Sequence, residues 1–310
     1  MAANVRRKVS SSATLFINDI NPSVCINFQT EFSSLGPIVI SQTAREAADD
    51  AKVVISIVPG AADVIKVYLD EKDGVVASKE DKERVMCECS TIDVKTTREV
   101  GEKVEERGRG WYVDTPVSGG VPAAQRGDLS VLIGAPDPTS DQSPLSDRLA
   151  GALSHIGSPQ KFFYLQTLGA GLTAKISNNY LSGTILLATA EALAIGIRSG
   201  IDPQLLYQVI KNSTGQSWMC DHVHPVPGVV GHVPSSNGYR PGFKTQMMIK
   251  DLGLGIEAGR EVGIEPVMAE AAMAVWEAAS KNPVCYDRDG SSVYLHIGGP
   301  IPETKTESSE

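Results

Sequence analysis

Short apolar runs alternate with helix-spaced stretches through the first half of the chain. Residues 14–17 and 38–40 predict two strands; the first ends at Asn18 and Asp19, and Asn21-Pro22 opens a turn. Residues 23–35, closed by Gly36-Pro37, have the length and ending of a helix. Thr43 and Glu46 have capping-box spacing and open a short helix through Asp50. Residues 53–58, V-V-I-S-I-V, predict a strand buried on both faces, as parallel sheets require, and Pro59-Gly60 ends it. Helices over 61–69 and 94–107 and strands over 84–89, 111–113 and 129–133 continue the alternation. Such alternation implies βαβ units and a mostly parallel sheet, an α/β first domain over residues 1–164. Ligands of these sheets sit beyond the carboxyl ends of the strands. The strand-end residues of interest are therefore Asp19, Val58-Pro59, Ser90-Thr91 and the loop after Val113.

Beyond Tyr164 the pattern changes to long helices, so residues 165–302 predict an all-α second domain. Residues 303–310 are polar and aperiodic, the signature of a disordered tail. Residues 180–197 form an apolar run too long for a strand, which predicts a buried helix. Glu191 and several polar residues in that run argue against a membrane span. Just before it, residues 169–179 read G-A-G-L-T-A-K-I-S-N-N, and Lys175 and Asn179 stand at i and i+4 on one helix face. Burial of such a lysine would favour its neutral form and let it exchange protons; the alternative is an amine that snorkels to the surface.

A net charge of −9 and a pI near 5.2 speak against a nucleic-acid surface. The five cysteines show neither zinc spacing nor a disulfide framework, which suits a reducing compartment. Cys87 and Cys89 alternate along a strand and read as packing. His222, His224 and His232 crowd a Pro/Gly-rich loop without ligand spacing, so no metal site is expected. Residues 1–17 are basic, Ser-rich and free of acids before Asp19, which imitates a transit peptide; residues 1–8 also read as the tail of a helix. Residues 114–120, D-T-P-V-S-G-G, take a strand through a proline turn into two glycines, whose backbone can approach a carboxylate or phosphate closely. Residues 250–254, K-D-L-G-L, read as an ion pair opening another apolar helix.

Those three motifs, D-T-P-V-S-G-G, G-A-G-L-T-A-K-I-S-N-N and K-D-L-G-L, in this order and spacing, resemble the β-hydroxyacid dehydrogenase family. The loop at 225–239, P-V-P-G-V-V-G-H-V-P-S-S-N-G-Y, is similar to the 3-hydroxyisobutyrate branch rather than the glyoxylate or tartronate semialdehyde branches. The likeness runs from residue 1 to Tyr294; the Pro/Gly-rich stretch after it departs from the family. The resemblance implies a Rossmann-type parallel sheet followed by a helical substrate and oligomerisation domain. It implies Lys175 as the catalytic lysine, with Asn179 as its catalytic companion and second substrate contact. Ser118, Gly119 and Gly120 fall at the substrate-carboxylate loop. Val58, Pro59, Thr91 and Lys250 fall at nicotinamide-cofactor contacts. Asp19 falls where an acid binds the adenosine ribose, which favours NAD over NADP.

The implied reaction is NAD-dependent oxidation of 3-hydroxyisobutyrate to methylmalonate semialdehyde, a step of valine catabolism, by a homo-oligomer that is mitochondrial in eukaryotes. A related 3-hydroxy acid or semialdehyde is the alternative substrate. One departure bears on this. The family places a strand, G-x-G-x-x-G and a helix reading M-A-x-N-x-x-x-K before the second strand. Residues 1–8, M-A-A-N-V-R-R-K, resemble that helix from its middle onward. The expectation is a chain that begins just after the glycine fingerprint, with an incomplete sheet and without the helix amino terminus that holds a pyrophosphate. A non-catalytic remnant acting through intact subunits is the reading of a different class, and the cytoplasm is the alternative location to the mitochondrion.

Overall fold

The computed structural model describes residues 1–140 and 143–302; the expected tail at 303–310 lies outside the described residues. The chain divides into two compact units, Met1–Lys175 and Ile176–Glu310. The first runs α1 (Ala2–Lys8), β1 (Leu15–Ile17), α2 (Pro22–Phe32), β2 (Ile38–Ile40), α3 (Ala44–Asp49), β3 (Val53–Ser56), α4 (Ala61–Leu69), β4 (Val85–Glu88) and α5 (Val94–Glu106). It continues with β5 (Trp111–Asp114), β6 (Val117–Ser118), α6 (Gly120–Arg126), β7 (Leu129–Ile133), α7 (Pro144–Ser154) and β8 (Gly157–Tyr164). The helix α8 (Ala170–Arg198) starts in this unit and runs into the next.

Local chemistry sets many of these boundaries. Thr43 Oγ1 accepts from Glu46 N, while the Glu46 carboxylate accepts from Gln42 N, a reciprocal cap reaching one residue further back than the standard box. Asp93 accepts from Thr96 N to start α5, and Asn21 with Pro22 starts α2. Residues 2–8 are helical, as one of the two readings expected. The α1 residue Arg6 is buried and donates to Ser10 O, Ala13 O and Pro37 O, tying the helix to the segments that lead into β1 and β2.

Strands β1 and β2 pair in parallel, and β3-β4-β5 form a second parallel ladder. The third sheet mixes an antiparallel β6–β7 pair with a parallel β7–β8 pair. Strand β4 is fully buried and divides its side chains between two cores. Met86 packs with Val64, Tyr68, Val100 and Tyr112; Val85 and Cys87 pack with Val113, Val131 and Leu153. Cys87 and Cys89 are packing residues, as expected.

The expectation of a strand buried on both faces over 53–58 fails. Strand β3 stops at Ser56, its first three residues are only half-buried, and Ile57 is exposed. The reason is position: β3 ends its ladder, whereas β4 is flanked on both sides and β5, at the other end, runs on beside β7, where Gly134 N donates to Asp114 O.

The second unit contains most of α8, then α9 (Pro203–Lys211), α10 (Trp218–His222), α11 (Thr245–Glu261), α12 (Val267–Lys281) and α13 (Val293–His296). Its core joins Leu186, Leu187, Ala190 and Leu193 of α8 to Leu252 of α11 and Trp276 of α12. Two sequence expectations need correction here. By length and composition alone α8 is long and apolar enough to cross a membrane. Its apolar residues at 186–194 are used in packing against α11 and α12 instead. The K-D-L-G-L motif does not open a helix; it lies in the second turn of α11, which begins at Thr245.

Candidate active site

Asp114 ends β5 and is completely buried. Its Oδ1 accepts from Gly169 N at 2.8 Å and its Oδ2 from Leu172 N at 2.8 Å. The first amides of a helix have no partner within the helix, and here a carboxylate 55 residues earlier in the chain supplies one. Burial raises the Asp114 pKa above the usual carboxylate range, and the two backbone donors pull it back. Glycines permit this approach. A Cβ on Gly134 would lie 1.8 Å from Asp114 Oδ1, and one on Gly171 would lie 2.3 Å from Leu132 O. Gly169 adopts φ +89°, where a side chain is strained. The D-T-P-V-S-G-G and G-A-G-L-T-A-K motifs thus meet at one buried carboxylate.

Residues 169–174 also fit a G-x-G-x-x-A pattern at a helix start. Its amides at Gly169 and Leu172 are already engaged by Asp114, so this helix start does not serve as a phosphate cradle. Lys175 follows in the next turn of α8 and is 8% exposed, so its side chain does not snorkel to the surface. The Ser118–Gly120 bend leaves β6, where Ser118 faces Ser130 of β7. Gly119 and Gly120 adopt φ +127° and +65°, and a Cβ on Gly119 would lie 2.6 Å from the Ala123 Cβ. This bend therefore requires glycine at both positions.

In the second unit, Asn179 Nδ2 donates to Asp251 Oδ2 at 2.6 Å, and Lys250 Nζ lies 3.6 Å from Asp251 Oδ1. Asp251 is buried and holds the Asn179 amide in one orientation. Sequence reasoning read this aspartate only as half of an ion pair; its place in the K-D-L-G-L motif was the signal for a larger role.

The proposed cofactor residues of the first unit lie where parallel sheets bind ligands. Asp19 is exposed just past β1, Val58 and Pro59 follow β3, and Thr91 follows β4. Ser90, already marked as a strand-end residue, and Glu88, which sequence reasoning missed, tie these ends together. Glu88 accepts from Ser90 N at 2.7 Å and from the Ser56 hydroxyl, and Ser90 Oγ accepts from Val58 N at 2.7 Å. Glu88 is buried, which raises its pKa, while its bonds to Ser56 and Ser90 act in the other direction. For NAD, an exposed acid past β1 suits a ribose hydroxyl, and the pinned backbone at Val58 suits the nicotinamide end. The histidines form no comparable centre. His222 stacks on Trp218 at 4.6 Å, and His224 is buried beside Tyr207.

Comparison with known proteins agrees with the fold. Residues 1–157 match the NAD binding domain of 6-phosphogluconate dehydrogenase. Residues 169–297 match the family described as NAD-binding of NADP-dependent 3-hydroxyisobutyrate dehydrogenase. The chain is 33% identical to the mitochondrial 3-hydroxyisobutyrate dehydrogenase of Rattus norvegicus over 91% of its own length and 79% of the relative's. It is also 33% identical to an NAD-dependent L-serine dehydrogenase of Pseudomonas aeruginosa, over 82% and 81% of the two chains. Among solved structures, the Mycobacterium tuberculosis 3-hydroxyisobutyrate dehydrogenase with L-serine superposes with a TM-score of 0.77 at 28% identity, covering 91% of this chain and 89% of that one. The chain thus belongs to the NAD-dependent, 3-hydroxyisobutyrate dehydrogenase-like oxidoreductases of the β-hydroxyacid dehydrogenase family.

Proposed function

We propose that the chain oxidises 3-hydroxyisobutyrate to methylmalonate semialdehyde, with Lys175 as general base for the hydroxyl proton. In the reverse direction the same amine protonates the carbonyl oxygen. NAD, when bound, supplies the hydride acceptor. Ser118 and the Gly119-Gly120 backbone bind the substrate carboxylate, which fixes the carbon skeleton before reaction. Asn179, oriented by Asp251, holds the substrate as a second contact. Val58, Pro59, Thr91 and Lys250 contact the nicotinamide half of the cofactor, and Asp19 takes the adenosine ribose.

The observation that carries this reading is the burial of Lys175 in a helix whose first turn is tied to the end of β5, the strand that precedes the Ser-Gly-Gly bend. General acid–base catalysis by one group is worth about 10²–10⁴ in rate. Lys175→Ala is therefore expected to lose at least about 10²-fold in turnover while NADH binding, followed by fluorescence, persists. Near-normal turnover in that variant would remove the lysine from the mechanism.

A second substrate reading has its own support. The Pseudomonas aeruginosa relative is an L-serine dehydrogenase, and the Mycobacterium tuberculosis structure contains L-serine. Serine carries its hydroxyl on the carbon β to a carboxylate, so the same lysine and the same bend would serve it. The ratio of kcat/KM for 3-hydroxyisobutyrate and L-serine decides between the two. The exposed apolar residues Leu181 and Ile195 of α8 support assembly into a homo-oligomer, which sedimentation equilibrium tests.

A further inference from the structure

We propose that Asp114 is a positioning residue for the reaction: by accepting from the amides of Gly169 and Leu172, it holds the start of α8, and with it Lys175, in register with the strand that leads to the Ser118–Gly120 bend. The inference rests on the reading of Lys175 as the general acid/base.

Three observations carry it. Both carboxylate oxygens are used, one on each amide, and both partners are donors. An asparagine has one acceptor oxygen, so its NH₂ would face a second N–H. The position therefore calls for a carboxylate and not merely for a polar residue of that size. Next, the surroundings are shaped to the carboxylate. Gly134 has no room for a Cβ beside Oδ1, and a Cβ on Gly171 would lie 2.9 Å from Oδ2. Finally, the bonds join segments far apart in the sequence. Asp114 is 55 residues from Gly169 and 58 from Leu172, and Lys175 lies three residues after Leu172. A helix is stiff over one turn, so the placement of its first amides sets the placement of the amine. Reaction rates are steep in this placement, with a 1 Å error costing about 10²-fold.

The test is Asp114→Asn in the full chain, with kcat and the NADH dissociation constant measured separately. Expected is a fall in kcat of about 10- to 100-fold with NADH binding held within about twofold, because both bonds of the Asp114 carboxylate go to the start of α8. A general loss of structure would instead weaken both together, and that result, or a kcat like wild type, overturns the inference. Should Asp114→Asn fail to fold, Gly134→Ala keeps the carboxylate and pushes it aside. The same split between kcat and NADH binding supports the proposal, and an unchanged kcat or a parallel loss of both refutes it. Lys175→Ala separates the two levels. If it turns over normally, the reading of the lysine fails; if it is inactive while Asp114→Asn is normal, only the positioning role fails.

Discussion

The second glycine of the G-A-G turn gives a severe prediction. Adding one methyl at Gly171 would place a Cβ 2.3 Å from Leu132 O, 2.9 Å from Asp114 Oδ2 and 3.1 Å from Gly134 N. Two of these are backbone atoms within the packed junction of β7 and α8, and no rotamer relieves them. An ordinary contact needs about 3.4 Å, so the start of α8 must retreat by about 1 Å. Overpacking of this kind costs about 1–3 kcal/mol, and at this chain length each kcal/mol lowers Tm by about 1–2 °C. The kinetic effect is expected to be larger. A retreat of about 1 Å carries Lys175 with it and costs about 10²-fold in kcat, or about 2.7 kcal/mol of barrier.

Gly171→Ala is compared with wild type by calorimetric melting and by steady-state kinetics with saturating NAD. The control is Gly151→Ala in α7, where an added Cβ meets nothing within 4 Å. There the change removes only a flexible helix residue, and a gain of about 0.5–1 kcal/mol with unchanged kcat is expected. The reasoning is refuted if Gly171→Ala turns over within twofold of wild type, or if the Gly151 control loses as much.

Two further perturbations probe other parts of the molecule. Asp19→Ala removes the exposed acid past β1 and is expected to improve NADP use relative to NAD by at least about tenfold, since a carboxylate there repels a 2′-phosphate; an unchanged ratio would place the ribose elsewhere. His224 is buried, which pushes its imidazole down to about 4 from an ordinary 6.5. Between those values the unfolded chain holds more protons than the folded one, so stability falls as pH drops from about 6.5 to about 4, by about 3 kcal/mol in all. His224→Asn, whose Oδ1 stands where Nδ1 accepts from Val226 N, is expected to flatten that slope in urea titrations, and an unaltered slope would assign the acid sensitivity to other groups.

What could be read from the chain, and what could not, follows the range of the forces involved. The capping pair Thr43 and Glu46, the apolar runs of β4 and β7, and the α5 stripe depend on residues within one turn or one strand, and all were legible. Strand β8 was not, because G-S-P-Q-K-F-F-Y opens on polar residues and a proline, and only pairing with β7 makes it a strand. The exposure of β3 was equally hidden, since edge or centre is decided by strand order and not by the run itself. The site divides in the same way. Lys175, Asn179 and the Ser-Gly-Gly bend stood out because their residue types are unusual for their surroundings. Their supports did not, because Asp114 acts across 55 residues, and Asp251 lies 72 residues from the Asn179 amide it orients. Yet each support carried a mark of its own: an aspartate closing a buried strand has to find donors, and a glycine-started helix has amides to offer. Matching unfilled donors to unfilled acceptors along a sequence would have paired those two motifs before any fold was known.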